Sequence, residues 1–259
     1  MTKDPLITII TVVFNAKNTV EQTILSVLRQ TYSNIEYIVI DGASTDGTLD
    51  IIKNYELRIA NGEFPNVSFR YVSETDKGVY DAMNKGLKLS NGEIIGIINA
   101  DDWYENNALS DVAELFAKTP GVGVFHGLMT VWDKDKIIKI VGTNSSRLSA
   151  GMIEHPTCFV RKEVYENVGL FDCKYSIAAD YDFMIRAKKQ GVKFKLAPII
   201  LSNFRWGGIS TTSIVGQYEA LQIRKTHNYK DKHALFFTKL TEIYVRIRYW
   251  LAKLNITKK

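Results

Sequence analysis

Cysteine is scarce in this chain: Cys158 and Cys173 are the only two, with no CxxC spacing and no accompanying histidine pattern. That excludes a disulfide framework and a cysteine-based zinc module, and it fits a reducing compartment with both thiols structural. No basic segment followed by an apolar stretch and a cleavage site opens the sequence, so no secretory leader is expected. No apolar run approaches the ~18–20 residues that cross a bilayer. Glycines do not gather after the first apolar segment, where Phe14-Asn15-Ala16-Lys17 stands instead. A P-loop and the GxGxxG turn of dinucleotide-binding proteins are therefore excluded. A sugar-nucleotide pyrophosphorylase, which needs a glycine-rich phosphate loop at that place, is disfavoured on the same ground. Internal repeats, low-complexity segments and linker-like composition are also lacking.

What is present is an ordinary globular composition, 46% hydrophobic and 24% charged over 259 residues. Such a chain builds a real core and is not disordered. The length suits one large α/β domain, or two small ones sharing a sheet. Net charge is +5, and the excess lies in the segment 225–259. A basic end of this kind meets nucleic acid, anionic lipid or a phosphorylated substrate, or it is a solvated tail.

The first hundred residues alternate between two periodicities. Leu6 to Phe14 is a β-branched apolar run, the pattern of a strand covered on both faces. Asn18 precedes Glu21 by three, a capping-box start. Val20, Ile24, Val27 and Leu28 then mark one helical face. Ile35–Ile40 is a second buried strand, and a short helix is expected from Thr48 to about Tyr55. Val67–Val72 is a third strand, a helix carries Val79, Ala82, Met83, Gly86 and Leu87, and Glu93–Ile98 is a fourth strand. Alternation of this kind implies right-handed βαβ units and a largely parallel sheet. The second half is less regular. It reads as a helix at Ala108–Lys118, a strand at Val122–Phe125, and a hairpin of Leu128–Trp132 with Ile137–Val141. A helix at Asp180–Gln190, an extended segment Phe194–Ser202 broken at Pro198, and a helix from Tyr218 onward follow.

In open α/β sheets, ligands bind beyond the carboxyl ends of the strands. Asn15, Asp41, Ser44, Asp46, Ser73, Asp76, Asp101 and Asp102 follow strands here, so the topology gathers carboxylates at one rim. Asp101 and Asp102 repel each other if both are desolvated, and a hard divalent cation such as Mg²⁺ or Mn²⁺ removes that penalty. An adjacent pair of acids is equally a helix N-cap. In the turn DGASTDGT, Asp41 stands where a base N–H or a ribose hydroxyl is accepted, Gly42 and Gly47 allow a tight turn, and Asp46 caps the next helix.

The stretch TVVFNAKNTVEQTILSVLRQTYSNIEYIVIDGASTDGT, with DKGVYDAMNKGL and NGEIIGIINADD, resembles family 2 glycosyltransferases. The likeness is dense over the first ~105 residues and continues loosely to about Trp206. It implies an inverting enzyme of the GT-A fold, with a Rossmann-like, mostly parallel sheet flanked by helices and a C-terminal helical extension. Residues 1–105 would bind the nucleotide sugar, 106–215 the acceptor, and 216–259 would form a basic amphipathic tail. The resemblance places Thr11, Val13 and Asn15 against the nucleotide and Asp41 on the base, usually uracil. Ser44 and Asp46 belong to the same loop. Asp76, Lys77, Gly78, Asp81, Asn84 and Lys85 close over ribose and diphosphate, with Lys85 or Lys77 set to neutralise phosphate.

The family's metal motif is usually Asp-x-Asp. Here Asn99-Ala100-Asp101 leaves Asp101 as direct ligand to Mn²⁺ or Mg²⁺, with Asp102 acting through water or on the donor sugar. Ala179-Asp180-Tyr181-Asp182 resembles the motif that carries the catalytic base. The role falls to Asp180, with Asp182 its competitor and helix capping the plain alternative for both. His155-Pro156 matches a turn near the acceptor face, and Trp206-Gly207-Gly208 a late Gly-Gly turn. FRWGG is not the Gln-x-x-Arg-Trp signature of processive synthases, so one sugar per turnover is expected.

The implied partners are a nucleotide-sugar donor, UDP-linked, and a glycan or lipid-linked acceptor in cell-surface polysaccharide assembly, with no nucleic acid. The tail carries Leu235, Phe236, Leu240, Ile243, Tyr244, Ile247, Trp250, Leu251 and Leu254 on one face and lysines and arginines largely elsewhere. Such a helix lies in a membrane interface or packs on the domain. The expected location is cytoplasmic, peripheral on the inner face of the plasma membrane if the tail binds lipid. A non-catalytic nucleotide-sugar binder on the same fold is the alternative, given the acids missing at Asn99 and Ala179.

Overall fold

The computed structural model describes residues 4–208, 213–228, 240 and 243. Its centre is a nine-stranded sheet. The apolar β-branched runs form β1 (Ile7–Val13), β2 (Ile35–Asp41) and β4 (Ile94–Asn99), with β3 (Val67–Ser73) at one edge. These four pair in parallel in the order β3-β2-β1-β4. Alternate residues of each strand enter two cores. Ile10, Val12, Ile38, Ile40 and Ile97 pack with Tyr80, Met83, Tyr181 and Phe183. Ile7, Ile9, Ile35, Val39 and Ile98 pack with Val20, Ile24, Ile52, Leu109 and Phe116. Helices α1 (Val20–Leu28), α2 (Thr48–Ala60) and α4 (Ala108–Lys118) thus cover one face. On the other face lie α3 (Val79–Leu89), α5 (Lys162–Val168) and α6 (Ala179–Lys189). Gly86 is required where α3 meets β1, since a Cβ there would stand 2.5 Å from Ile10.

Beyond β4 the sheet is mixed, which sequence pattern did not indicate. β8 (Phe159–Arg161) runs antiparallel to β4, and β6 (Val124–Asp133) antiparallel to β8. β9 (Phe194–Arg205) returns parallel to β6, and β5 (Trp103–Tyr104) runs antiparallel to β9 at the far edge. The segments expected as Val122–Phe125 and Leu128–Trp132 are one strand, β6, whose distal half forms the expected hairpin with β7 (Lys136–Val141). β9 continues through Pro198. Its pairing with β6 skips from His126↔Leu196 to Leu128↔Ile200, absorbing the residue that lacks an N–H.

Several boundaries differ from expectation. The capping box does not form: Thr19 is the N-cap of α1 without a side-chain bond, and Glu21 accepts from the Tyr55 hydroxyl at 2.9 Å instead. α2 extends to Ala60, five residues past Tyr55. Cys158 is buried but Cys173 is exposed, so only one thiol serves the core. The final described helix, α7 (Ile214–Thr226), starts four residues before Tyr218. Of the expected tail 216–259, residues up to 228 are described, most of them in α7, and the rest lies outside the described residues except for Leu240 and Ile243, which are 46% and 56% exposed. Among the described residues, no helix is long and apolar enough to cross a membrane.

Candidate active site

The loops after β1 and β2 are laced together. Asn15 takes a left-handed backbone (φ 50°), its N–H donates to Ser44 Oγ at 2.8 Å, and its side-chain oxygen accepts from Thr45 N–H at 2.8 Å. Asp46 accepts from Lys17 N–H at 3.0 Å and from the Thr48 amide and hydroxyl at 3.0 and 2.6 Å. The Thr48 hydroxyl, first among these donors, holds the Asp46 carboxyl below its usual range. Asp46 therefore steadies the start of α2 and joins it to the β1 loop.

Three of the expected donor-side residues are buried. Asp41 has no accessible surface. Its oxygens accept from Ser44 N–H, from Ser44 Oγ at 2.5 Å and from Ser73 Oγ at 2.6 Å. It orders the turn from beneath. Thr11 is likewise fully buried and accepts from Tyr37 Oη at 3.0 Å, while Val13 packs in the core. What faces outward here was not singled out from sequence: Phe14 is 63% exposed. A Cβ on Gly42 would stand 2.6 Å from Asp76 Oδ2 and 3.3 Å from the Phe14 ring, so Gly42 floors a gap between them.

The segment leading into α3 is self-braced. Asp76 Oδ1 accepts from Gly78 N–H at 2.8 Å, and Asp81 Oδ2 from Lys77 N–H at 3.0 Å. Gly78, at φ 118°, is the N-cap. The Lys85 ammonium donates to Thr75 O at 2.8 Å and pairs with Glu74 at 2.8 Å. That carboxylate, named first among its influences, raises the ammonium's pKa. Lys85 thus braces its own loop, whereas Lys77 is exposed with no side-chain partner among the described residues. Asn84 is likewise engaged within the fold. It is buried, and its amide both donates to Phe171 O at 2.9 Å and accepts from Phe171 N–H at 3.0 Å.

After β4 the two adjacent acids separate. Asp102 is fully buried; Oδ1 accepts from Arg205 N–H at 3.0 Å, and Oδ2 has no partner among the described residues. Burial, and then the charge of Asp101, pushes its carboxyl far above the usual range. It anchors β9. Asp101 keeps partial exposure. Burial raises its pKa as well, with Arg205 pulling the other way. A Cβ on Gly208 would lie 3.4 Å from Asp101 Oδ2, which puts the Gly-Gly turn over this carboxylate. Trp206 beside it is 47% exposed, with the Lys139 ammonium 5.9 Å from its ring.

At the start of α6 the two acids differ in burial. Asp182 is 4% exposed and held by Arg186 Nε at 2.7 Å and His227 Nε2 at 2.9 Å. Asp180 keeps partial exposure. The Tyr80 hydroxyl lies 2.9 Å from Asp180 Oδ1 and 2.7 Å from Ile177 O, sharing one hydrogen between them. His155 packs edge-on to Phe171 with ring centroids 6.0 Å apart. Burial lowers its pKa, and the Asp180 carboxylate opposes that. Tyr80 roots this cluster in the first turn of α3, four residues after Asp76.

The glycosyl transferase family 2 model matches residues 8–169, and the chain belongs to that family. It is 28% identical over 225 residues to the PGL/p-HBAD biosynthesis glycosyltransferase of Mycobacterium tuberculosis, covering 81% of each chain. It is 29% identical over 181 residues to an uncharacterized glycosyltransferase of Nostoc, covering 64% of this chain and 54% of that one. Among solved structures, residues 1–349 of S. aureus TarS with UDP-GlcNAc superpose with TM-score 0.69 at 18% identity, over 90% of this chain and 70% of that one. The Pyrobaculum calidifontis mannosyltransferase PcManGT, in complex with GDP-Man and Mn²⁺, gives 0.69 at 18%, over 94% and 70%. The chain spans 41% of the longer TarS chain. The fold is GT-A, and the protein is a glycosyltransferase.

Proposed function

We propose that the protein transfers one sugar from a UDP-linked donor to a hydroxyl of a glycan or lipid-linked acceptor, with inversion, in cell-surface polysaccharide assembly. One observation carries this reading. Of the acids in the Asp101-Asp102 and Asp180–Asp182 motifs, Asp102 and Asp182 are buried and committed to structure, while Asp101 and Asp180 retain exposure. One remaining acid suits a charged leaving group and the other a proton.

The donor side consists of Phe14, Gly42 and Asp76, with the exposed Lys77 nearby in sequence. Phe14 offers an aromatic face for a base, and Lys77 a cation for phosphate. Among the described residues, no group of three His, Cys, Asp or Glu side chains could hold a metal ion by itself. A lone desolvated carboxylate, Asp101, nevertheless fits Mn²⁺ or Mg²⁺ when substrate phosphates complete the shell. Such an ion would supply charge stabilisation to the departing diphosphate. Asp180 accepts the proton of the attacking hydroxyl, oriented by Tyr80. General-base help of this kind is worth about 10²–10⁴-fold. The tail segment 229–259 holds the chain at an anionic membrane surface, where lipid-linked acceptors lie; equal flotation on anionic liposomes after truncation at Tyr229 removes that part.

The test measures UDP release from a panel of UDP-sugars with Mn²⁺, with and without acceptor. Acceptor-dependent release is expected, and Asp180→Asn should cut kcat by about 10²–10⁴-fold while sparing UDP binding. UDP binding without release under any combination would favour the non-catalytic alternative.

A further inference from the structure

Glu219 of α7 is 7% exposed, yet it forms no ion pair among the described residues. Its carboxylate accepts four hydrogen bonds from three consecutive residues. Oε1 accepts from the Ser176 amide and hydroxyl, each at 2.8 Å. Oε2 accepts from Ile177 N–H at 2.9 Å and Ala178 N–H at 3.0 Å. Ala178 is the N-cap of α6 and has no side chain able to cap it. The first amides of a helix lack internal partners, and an anion there is favoured by the helix dipole. Glu219 supplies that anion from a different helix.

The turn it grips leads directly to the candidate base. Asp180 lies two residues after Ala178, and the Ile177 carbonyl accepts from the same Tyr80 hydroxyl that reaches Asp180. We propose that Glu219 is a positioning residue for Asp180, fixing the Ser176–Ala178 turn so that the carboxylate meets Tyr80 and the acceptor in one orientation. Docking α7 does not by itself require Glu219. Leu221 and Ile223 are buried, Arg224 donates to Ala150 O at 3.3 Å, His227 pairs with Asp182, and Lys189 donates to His227 O at 2.5 Å. The inference rests on Asp180 being the base, and it links the C-terminal helix to the chemical step.

Glu219→Gln tests it. Gln keeps one acceptor oxygen but turns an NH₂ group toward two N–H donors. The expected result is kcat lowered by about tenfold or more with the Kd for UDP plus Mn²⁺ within about twofold of wild type. In an Asp180→Asn background, Glu219→Gln should lower kcat by less than about threefold further, because its effect passes through Asp180. Should Glu219→Gln lack a cooperative melt, Glu219→Asp, which keeps the anion and shortens its reach, takes the same readings with a smaller loss expected. UDP affinity falling in step with kcat marks a merely structural role and overturns the proposal. So does an unmoved kcat, or an undiminished loss on top of Asp180→Asn. Wild-type kcat in Asp180→Asn itself overturns the base assignment and this inference together. Loss in Asp180→Asn with none in Glu219→Gln or Glu219→Asp overturns this inference alone.

Discussion

Acidification should destabilise this protein through one buried side chain. His126 on β6 has no accessible surface, and neither ring nitrogen has a partner among the described residues. Burial pushes its pKa down to about 4, with the Glu154 carboxylate pulling the other way. In the unfolded chain it titrates near 6.5. The folded value is the lower one, so the unfolded state takes up the proton first as pH falls. The neutral ring's contribution is complete above about pH 6.5 and disappears progressively toward about pH 4. At about pH 5 the unfolded form gains ~2 kcal/mol from this site, out of ~3 kcal/mol for the whole interval. His126→Leu removes the titration and both unpaired nitrogens at similar volume. Urea unfolding of both proteins at about pH 8 and about pH 5 separates the effect, because packing changes cancel in the difference. The stability lost between the two pH values should be smaller in the variant by ~2 kcal/mol. An equal loss in both proteins would show that the ring is hydrated or paired, and would refute the argument.

Asp182→Asn leaves Arg186 and His227 facing a neutral amide in a site 4% exposed, and should cost ~3–5 kcal/mol in urea unfolding. A loss under ~1 kcal/mol would mean the cluster is solvated. Gly42→Ala places a methyl 2.6 Å from Asp76 Oδ2, so Asp76 must swing away. UDP affinity by calorimetry should fall about tenfold with little change in melting temperature, and unchanged affinity would clear this gap of any donor role. Asp101→Ala should abolish the Mn²⁺ enhancement of UDP binding; an intact enhancement would move the metal elsewhere.

The parallel half of the fold was legible because its strands are buried on both faces and spell continuous Ile/Val runs, as in Ile7–Val13 and Ile35–Asp41. The mixed half was not. β8 has three residues and β5 two, too few to show a period. The sequence also placed acids correctly at strand ends and helix starts but could not tell which would be covered. Asp41 is closed over by Ser44 and by Ser73, 32 residues on, and Asp102 by the Arg205 amide, 103 residues on. Glu219 gave no signal at all, since its role depends on α7 docking against a turn more than forty residues earlier.

These buried acids explain how so many carboxylates share one rim. Asp41 is satisfied by an amide and two hydroxyls, Asp102 in part by an amide, and Glu219 by three amides and a hydroxyl. Of these, only Asp182 takes a fixed cation, Arg186, with the His227 ring beside it, on the side of α6 that meets α7. Peptide and hydroxyl dipoles hold these carboxylates in place without placing a fixed positive charge beside each. Arg205, next to Asp101, spends its guanidinium on the Asp101 carbonyl, Gln22 and the face of Trp103. Little protein cation is therefore committed to Asp101, whose carboxylate is already partly desolvated. That imbalance favours a group arriving with its own positive charge, and a divalent ion chelated by a nucleoside diphosphate is such a group.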